Sequence, residues 1–79
     1  DKYCPNQVNN EFAHEHAMNF VGKPVTLKNG IVKVGPLTIF ELSKSQMKRI
    51  NDCAELGITY KGIVFEHKNK FYVEFTKAN

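Results

Sequence analysis

The sequence predicts an α+β domain in which a small antiparallel sheet of about four to five strands carries two helices on one face. Three observations predict it: an Asn-Gly dipeptide between two apolar runs, a capped helix in mid-chain, and a second pair of alternating runs near the end. The predicted order is helix, hairpin, strand, helix, hairpin, within a single domain covering 1–79. Because helices between strands also occur in small open barrels of the oligonucleotide/oligosaccharide-binding kind, such a barrel is the alternative architecture.

The first helix is predicted from about Pro5 to Val21. Proline suits the first turn of a helix because its missing N–H would be unpaired there anyway. Gly22 and Pro24 would then end the helix. The apolar residues of this segment are spread widely around a helical wheel, so the predicted helix is only weakly amphipathic.

A hairpin over 25–34 is predicted from Asn29-Gly30, because both central positions of a type I′ turn need positive φ. Apolar residues then meet apolar residues on one face of the two strands. A third strand over 37–41 follows a Gly-Pro break. The predicted cross-strand pairs are Leu27 with Val32, Val25 with Val34, and Thr26 with Lys33.

The second helix has strong local signals at both ends. Ser43 and Gln46 have the spacing of a capping box, and Gly57 is placed to end the helix in the left-handed conformation. Its apolar residues fall on one face, with Cys53 beside them. That face comprises Met47, Ile50 and Ala54.

A second hairpin is predicted over 58–76, with a three-residue loop at His67-Lys68-Asn69. This loop places Phe65 opposite Phe71 on the buried face and leaves the other face to the alternate residues. A bulge is expected at Gly62, where the alternation shifts. The predicted core includes Leu27, Val32, Phe40, Met47, Ile50, Phe65, Phe71 and Val73.

Cys4 and Cys53, 49 positions apart, are predicted to form a disulfide. Cys4 lies in a polar stretch where burial for its own sake is not expected, and a chain of this size gains much from one cross-link. The chain begins at Asp1 without an initiator methionine, which together with the disulfide favours the mature form of a secreted or periplasmic protein after removal of a signal peptide. Two unrelated buried thiols in a trimmed domain are the alternative.

Composition argues against a membrane-spanning chain and indicates a globular domain. Hydrophobic residues make up 42% and charged residues 24% of the chain, which is typical of a soluble fold, and no apolar run is long enough to span a bilayer. The net charge of +3 favours an acidic partner without identifying one.

No constellation of residues indicates catalysis, a cofactor or a metal. The chain lacks a nucleophile elbow and a phosphate-binding glycine loop. On the predicted first helix His14 and His16 would diverge, while Glu11, His14 and Glu15 would share a face that is expected to be merely solvated. The sequence therefore predicts neither an enzyme nor a metal site.

The favoured function is binding of a macromolecular partner, of the inhibitor, immunity, exclusion or receptor-binding type, with a protein as the favoured partner. In the predicted register an outward face of the second hairpin combines aromatic and basic side chains, as protein interfaces do. The predicted partner-binding residues are Tyr60, Lys61, Val64, Lys68, Lys70 and Tyr72.

The alternative is a basic nucleic-acid-binding domain. The 43–56 helix and the 58–76 hairpin have the layout of a recognition helix and a wing, and the helix carries Lys44, Lys48 and Arg49. Asp52 and Glu55 on the same helix reduce its attraction for phosphate.

Overall fold

The computed structural model describes residues 3–78, which form a six-stranded antiparallel sheet, one α-helix and one short 3-10 helix. The strands follow one another across the sheet in the order β1-β6-β5-β2-β3-β4. The strands are β1 Gln7–Phe12, β2 Pro24–Lys28, β3 Ile31–Val34, β4 Leu37–Glu41, β5 Tyr60–His67 and β6 Lys70–Lys77; the α-helix α1 spans Lys44–Glu55 and the 3-10 helix spans Ala17–Phe20. The α+β class is confirmed, with more strands and fewer α-helices than predicted.

The helix predicted from Pro5 to Val21 is wrong. This segment instead forms strand β1, a turn and the 3-10 helix. β1 pairs with β6 along its whole length, so that Val8 lies opposite Phe75 and Phe12 opposite Phe71. Pairing with a strand some 60 residues away along the chain decided the conformation, and such a contact is not visible in local sequence.

The sheet is curved into a half-barrel. β1 and β4 are its two edge strands, yet the rings of Phe12 on β1 and Phe40 on β4 stack with centroids 5.5 Å apart. Because the edges of a flat six-stranded sheet would be far apart, this contact requires strong curvature. The core combines side chains from the concave side of the sheet with two from the 3-10 helix, and it consists of Phe12, Ala17, Phe20, Val32, Ile39, Val64, Val73 and Phe75.

The predicted β2–β3 hairpin is confirmed. Asn29 and Gly30 have φ values of 54° and 80°, and Leu27 lies opposite Val32 and Thr26 opposite Lys33 as expected. The predicted pair of Val25 with Val34 is wrong, because the pairs between β2 and β3 end at Thr26. The register of β3 against β4 shifts after Val32, so that Ile39 in β4 has no direct partner. Ile39 turns into the core through this irregularity.

The β5–β6 hairpin exists, but its predicted register is wrong. The loop has two residues, Lys68 and Asn69, both with positive φ, instead of three. The change of loop length exchanges the two faces: Val64 lies opposite Val73 in the core, and Phe65 points outward.

The bulge predicted at Gly62 is also wrong, because β5 and β6 pair without interruption. A Cβ at Gly62 would come within 2.6 Å of Val25 Cγ2 and 3.0 Å of the Phe75 ring. Glycine is therefore needed at this position for close packing between strands.

Helix α1 begins and ends as predicted. The Ser43 side chain accepts from the Gln46 backbone N–H, and the Gln46 side chain accepts from the Ser43 N–H. At the other end Gly57 has φ +84°, and the N–H of Ile58 donates to the Cys53 carbonyl at 2.9 Å. Both ends are satisfied by residues adjacent in sequence.

The predicted disulfide between Cys4 and Cys53 is present, with the Cα atoms 5.9 Å apart and both residues fully buried. It attaches the N-terminal segment to α1. Closing a loop of this length stabilises the fold by roughly 4 kcal/mol in the chain-entropy model. The Tyr60 hydroxyl, which donates to the Pro5 carbonyl at 2.6 Å, holds the same segment against β5.

The predicted core is partly correct. Val32 and Val73 are buried, but Phe65 is not a core residue. Five others are half-buried: Leu27, Phe40, Met47, Ile50 and Phe71. Within the described part of the chain, no helix is long and apolar enough to cross a membrane.

Candidate interaction surface

The convex side of the sheet carries apolar side chains where solvated residues would be expected. Phe65 on β5 and Tyr72 on β6 lie opposite each other, and their rings stack with centroids 5.2 Å apart and planes at 18°. Ile63, two residues before Phe65 on the same face, is 44% exposed. We call Ile63, Phe65 and Tyr72 the aromatic face.

Charged and polar side chains surround the aromatic face. Glu11 on β1 lies opposite Tyr72, and Glu74 on β6 lies opposite Ile63. Glu74 accepts a hydrogen bond of 3.0 Å from Gln7 Nε2. By strand alternation the exposed Lys61 and Lys70 belong to the same side of the sheet. The result is an apolar centre within a rim that contains both signs of charge.

The structure brings together only some of the predicted partner-binding residues. Tyr72, Lys61 and Lys70 share the convex side, and Lys68 lies at the hairpin tip next to it. The prediction that Val64 lies on an outward face is wrong, because the two-residue loop turns it inward and leaves it 1% exposed. Tyr60 is half-buried against the core, and its hydroxyl is bonded to Pro5.

Sequence reasoning missed Ile63 and Phe65 because it assumed the longer loop. The signal that could have found them is the alternation itself. With a two-residue loop, residues 63, 65 and 72 fall on one face by counting alone.

The histidine geometry differs from the prediction. His14 and His16 lie in the turn after β1 rather than on a helix, and their rings are 5.8 Å apart instead of diverging. His14 Nδ1 accepts a hydrogen bond of 3.0 Å from the His16 backbone N–H, and its ring meets Phe20 edge-on. Across residues 3–78, no group of three potential ligands is placed to hold a metal ion.

A separate polar network lies on the outer side of α1. Asp52 accepts hydrogen bonds of 2.8 Å from Lys48 Nζ and from the Tyr3 hydroxyl. The bonds from Lys48 and then Tyr3 lower the pKa of Asp52, and the Asp52 carboxylate raises the pKa of both partners. All three groups are at the surface, and their bonds attach the N-terminal segment to the helix.

The same network bears on the predicted recognition helix. Lys48 is paired with Asp52, and the Arg49 guanidinium lies over the Tyr3 ring at 5.5 Å from its centroid. Two of the three cations expected to contact phosphate therefore already make contacts within the protein.

Comparison with known proteins yields no relative: the chain matches no protein-family model, no curated protein and no solved structure.

Proposed function

We propose that the protein binds a macromolecular partner, most favourably another protein, through the aromatic face, and that it acts by occluding that partner without catalysis. The observation that carries the proposal is the stacked pair of Phe65 and Tyr72 with the exposed Ile63 beside it. Interfaces concentrate binding energy in such a centre of aromatic residues surrounded by polar side chains.

The composition of the rim favours a protein over a nucleic acid. Glu11 and Glu74 lie next to the aromatic centre, where their carboxylates would repel a phosphate backbone. The rings of Phe65 and Tyr72 also cover one face of each other. They are less suited to stacking on successive bases than isolated rings that lie open on a sheet.

An exported location is part of the same proposal. It is supported by the buried disulfide, since such bonds persist in oxidising compartments such as the periplasm or the exterior of the cell. Inhibitors, immunity proteins, exclusion factors and receptor-binding subunits share this size and this stapled construction. The lysines on one side of the rim favour a partner with an acidic patch facing them.

The test compares Tyr72→Ala with Leu37→Ala, which removes an exposed apolar side chain from β4, at the far edge of the sheet. Partners captured by wild-type protein from the secreted or periplasmic fraction are identified by cross-linking, and their affinities are then measured with purified components. We expect Tyr72→Ala to weaken binding by about 1–2 kcal/mol, as for an interface anchor, and Leu37→Ala to leave it unchanged.

Equal binding by wild type and Tyr72→Ala, with both proteins folded, would refute the aromatic face as the binding surface. Titration at two salt concentrations identifies the class of partner. A steep loss of affinity with salt indicates phosphate contacts and would support the nucleic-acid alternative instead.

A further inference from the structure

A second feature is a split in the sheet between β2 and β5. These strands pair only at Pro24 with Ile63 and at Val25 with Gly62. Continued in the same register, the ladder would next join Thr26 to Lys61 and Leu27 to Tyr60, but these pairs do not form in the described structure. The sheet therefore opens into a wedge beyond Val25.

The main-chain groups of Leu27 and Tyr60 point into this wedge. In a two-residue hairpin the residues flanking the loop bond each other, so Lys28 bonds toward β3 and its neighbour Leu27 points the opposite way. On β5 the Val64 N–H donates to the Lys23 carbonyl at 3.1 Å, toward β2. By the same alternation the Tyr60 main chain also points toward β2.

Helix α1 forms the apolar floor of the wedge. A groove of about 450 Å³ lies between the two strands and the helix, within the size range of ligand-binding clefts. Its apolar lining includes Leu27 from β2 and Met47, Ile50 and Ala54 from α1. The disulfide at Cys53, between Ile50 and Ala54 along the helix, fixes this floor in place.

The edges of the groove carry basic side chains. Lys61 lines the groove on the β5 side, and Lys28 lines an adjoining depression that shares Thr26 and Leu27 with it. Among the described residues, no aspartate or glutamate lines either depression. A bound segment would thus have an apolar surface beneath it and positive charge above it.

We propose that the groove binds an extended peptide segment in which apolar and acidic residues alternate. The backbone of the segment adds a strand between β2 and β5 and bonds the main chains of Leu27 and Tyr60. Side chains of an added strand alternate in direction, so apolar ones pack on α1 while acidic ones meet Lys28 and Lys61.

The test uses a fluorescein-labelled, N-acetylated and C-amidated peptide of about eight residues, a typical strand length, with alternating valine and glutamate. Binding to the full chain is followed by fluorescence anisotropy, and its location by NMR. We expect the amides of Leu27 and Tyr60 to shift and to become protected from hydrogen exchange. Two control peptides should not bind: one with lysine in place of glutamate, and one N-methylated at every valine.

Charge reversals on the protein provide matched controls. Lys28→Glu with Lys61→Glu should raise the Kd of the peptide about tenfold at low salt, since each reversal replaces an attraction by a repulsion. Lys68→Glu with Lys70→Glu makes the same change in net charge at the opposite end of β5 and should leave the Kd unchanged. All four lysines are exposed, so both variants should fold.

The proposal is overturned if the peptide does not bind at about 1 mM, or if the N-methylated peptide binds equally well. A dimer in sedimentation equilibrium that the peptide dissociates would show instead that a second copy of the chain occupies the groove, and would overturn the proposal. Tyr72→Ala should retain peptide binding, so failure of the aromatic face and failure of the groove are distinguishable.

Discussion

The two hairpins are built on the same turn, yet their sequences determine their registers to different extents. Both have two-residue loops with positive φ at both positions, Asn29-Gly30 in one and Lys68-Asn69 in the other. Asn-Gly is the preferred pair for this turn, whereas lysine is strained in the left-handed region. The first loop was therefore visible in the sequence, and the second was not.

The strands differ in a second respect. In β2–β3 most apolar residues fall on one alternation, so only one register buries them. In β5–β6 both alternations are apolar: Val64 and Phe75 occupy one, and Ile63, Phe65 and Tyr72 the other. A hairpin with two apolar faces has a surplus that the core does not use. The apolar residues outside the core form the aromatic face. The presence of apolar residues on both alternations therefore explains why the register was predicted wrongly and also indicates the candidate site.

The largest expected effect on the free energy of unfolding is the difference between substitutions on the two faces of the β5–β6 hairpin. Phe75→Ala should destabilise the fold by about 3–5 kcal/mol, because the ring is buried in the core. Phe65→Ala removes a half-buried ring and its stacking on Tyr72, so its cost should be about 1–2 kcal/mol. Denaturant unfolding of both variants measures the difference. Similar losses would mean that the faces are not distinct in solution.

The elements that the sequence predicts correctly are those whose deciding contacts are local. The ends of α1 depend on Ser43 with Gln46, three residues apart, and on Gly57 next to the last turn. The Asn-Gly turn likewise depends on two adjacent residues. Capping boxes and type I′ turns have sequence signatures because the atoms that form them are neighbours along the chain.

The predictions that proved wrong concern elements whose conformation depends on contacts between distant segments of the chain. β1 is a strand because it pairs with β6, and Asn10 on its inward side interrupts the alternation that would have indicated a strand. The split between β2 and β5 is invisible for the same reason, since it depends on how two strands far apart in the chain pair. Three of the predicted partner-binding residues, Tyr72, Lys61 and Lys70, lie on the convex side of the sheet. The prediction placed Val64 on that side, where the structure has Phe65.

A smaller effect tests the comparison of the two turns directly. Gly30→Ala should destabilise by about 1–2 kcal/mol, because φ is +80° and the added Cβ would meet Met47 Sδ at 2.7 Å. Lys68→Gly should instead stabilise by about 0.5–1 kcal/mol, because glycine relieves strain at φ +52°. Thermal unfolding compares the two variants. A loss of stability in Lys68→Gly would show that the second loop is not a two-residue turn of the same kind.

The smallest expected effect concerns α1, which joins the two hairpin regions and carries the surface network of Asp52. Hydrogen bonds from Lys48, and then from Tyr3, lower the pKa of the Asp52 carboxyl. A lowered folded-state pKa means that the stabilisation is complete above the ordinary value of about 4 and disappears as the pH falls through the lowered value. Because the network is exposed, salt should weaken it further.

Lys48→Ala should therefore raise the pKa of Asp52 toward its ordinary value, as followed by the side-chain carboxyl carbon in an NMR titration. Tyr3→Phe should raise it less, since the bond from Lys48 is the larger cause. Lys44→Ala, on the same helix, removes an equal charge that makes no bond to Asp52 and should leave the pKa nearly unchanged. An equal rise in Lys44→Ala would show that general charge, and not the bonded network, sets the Asp52 pKa.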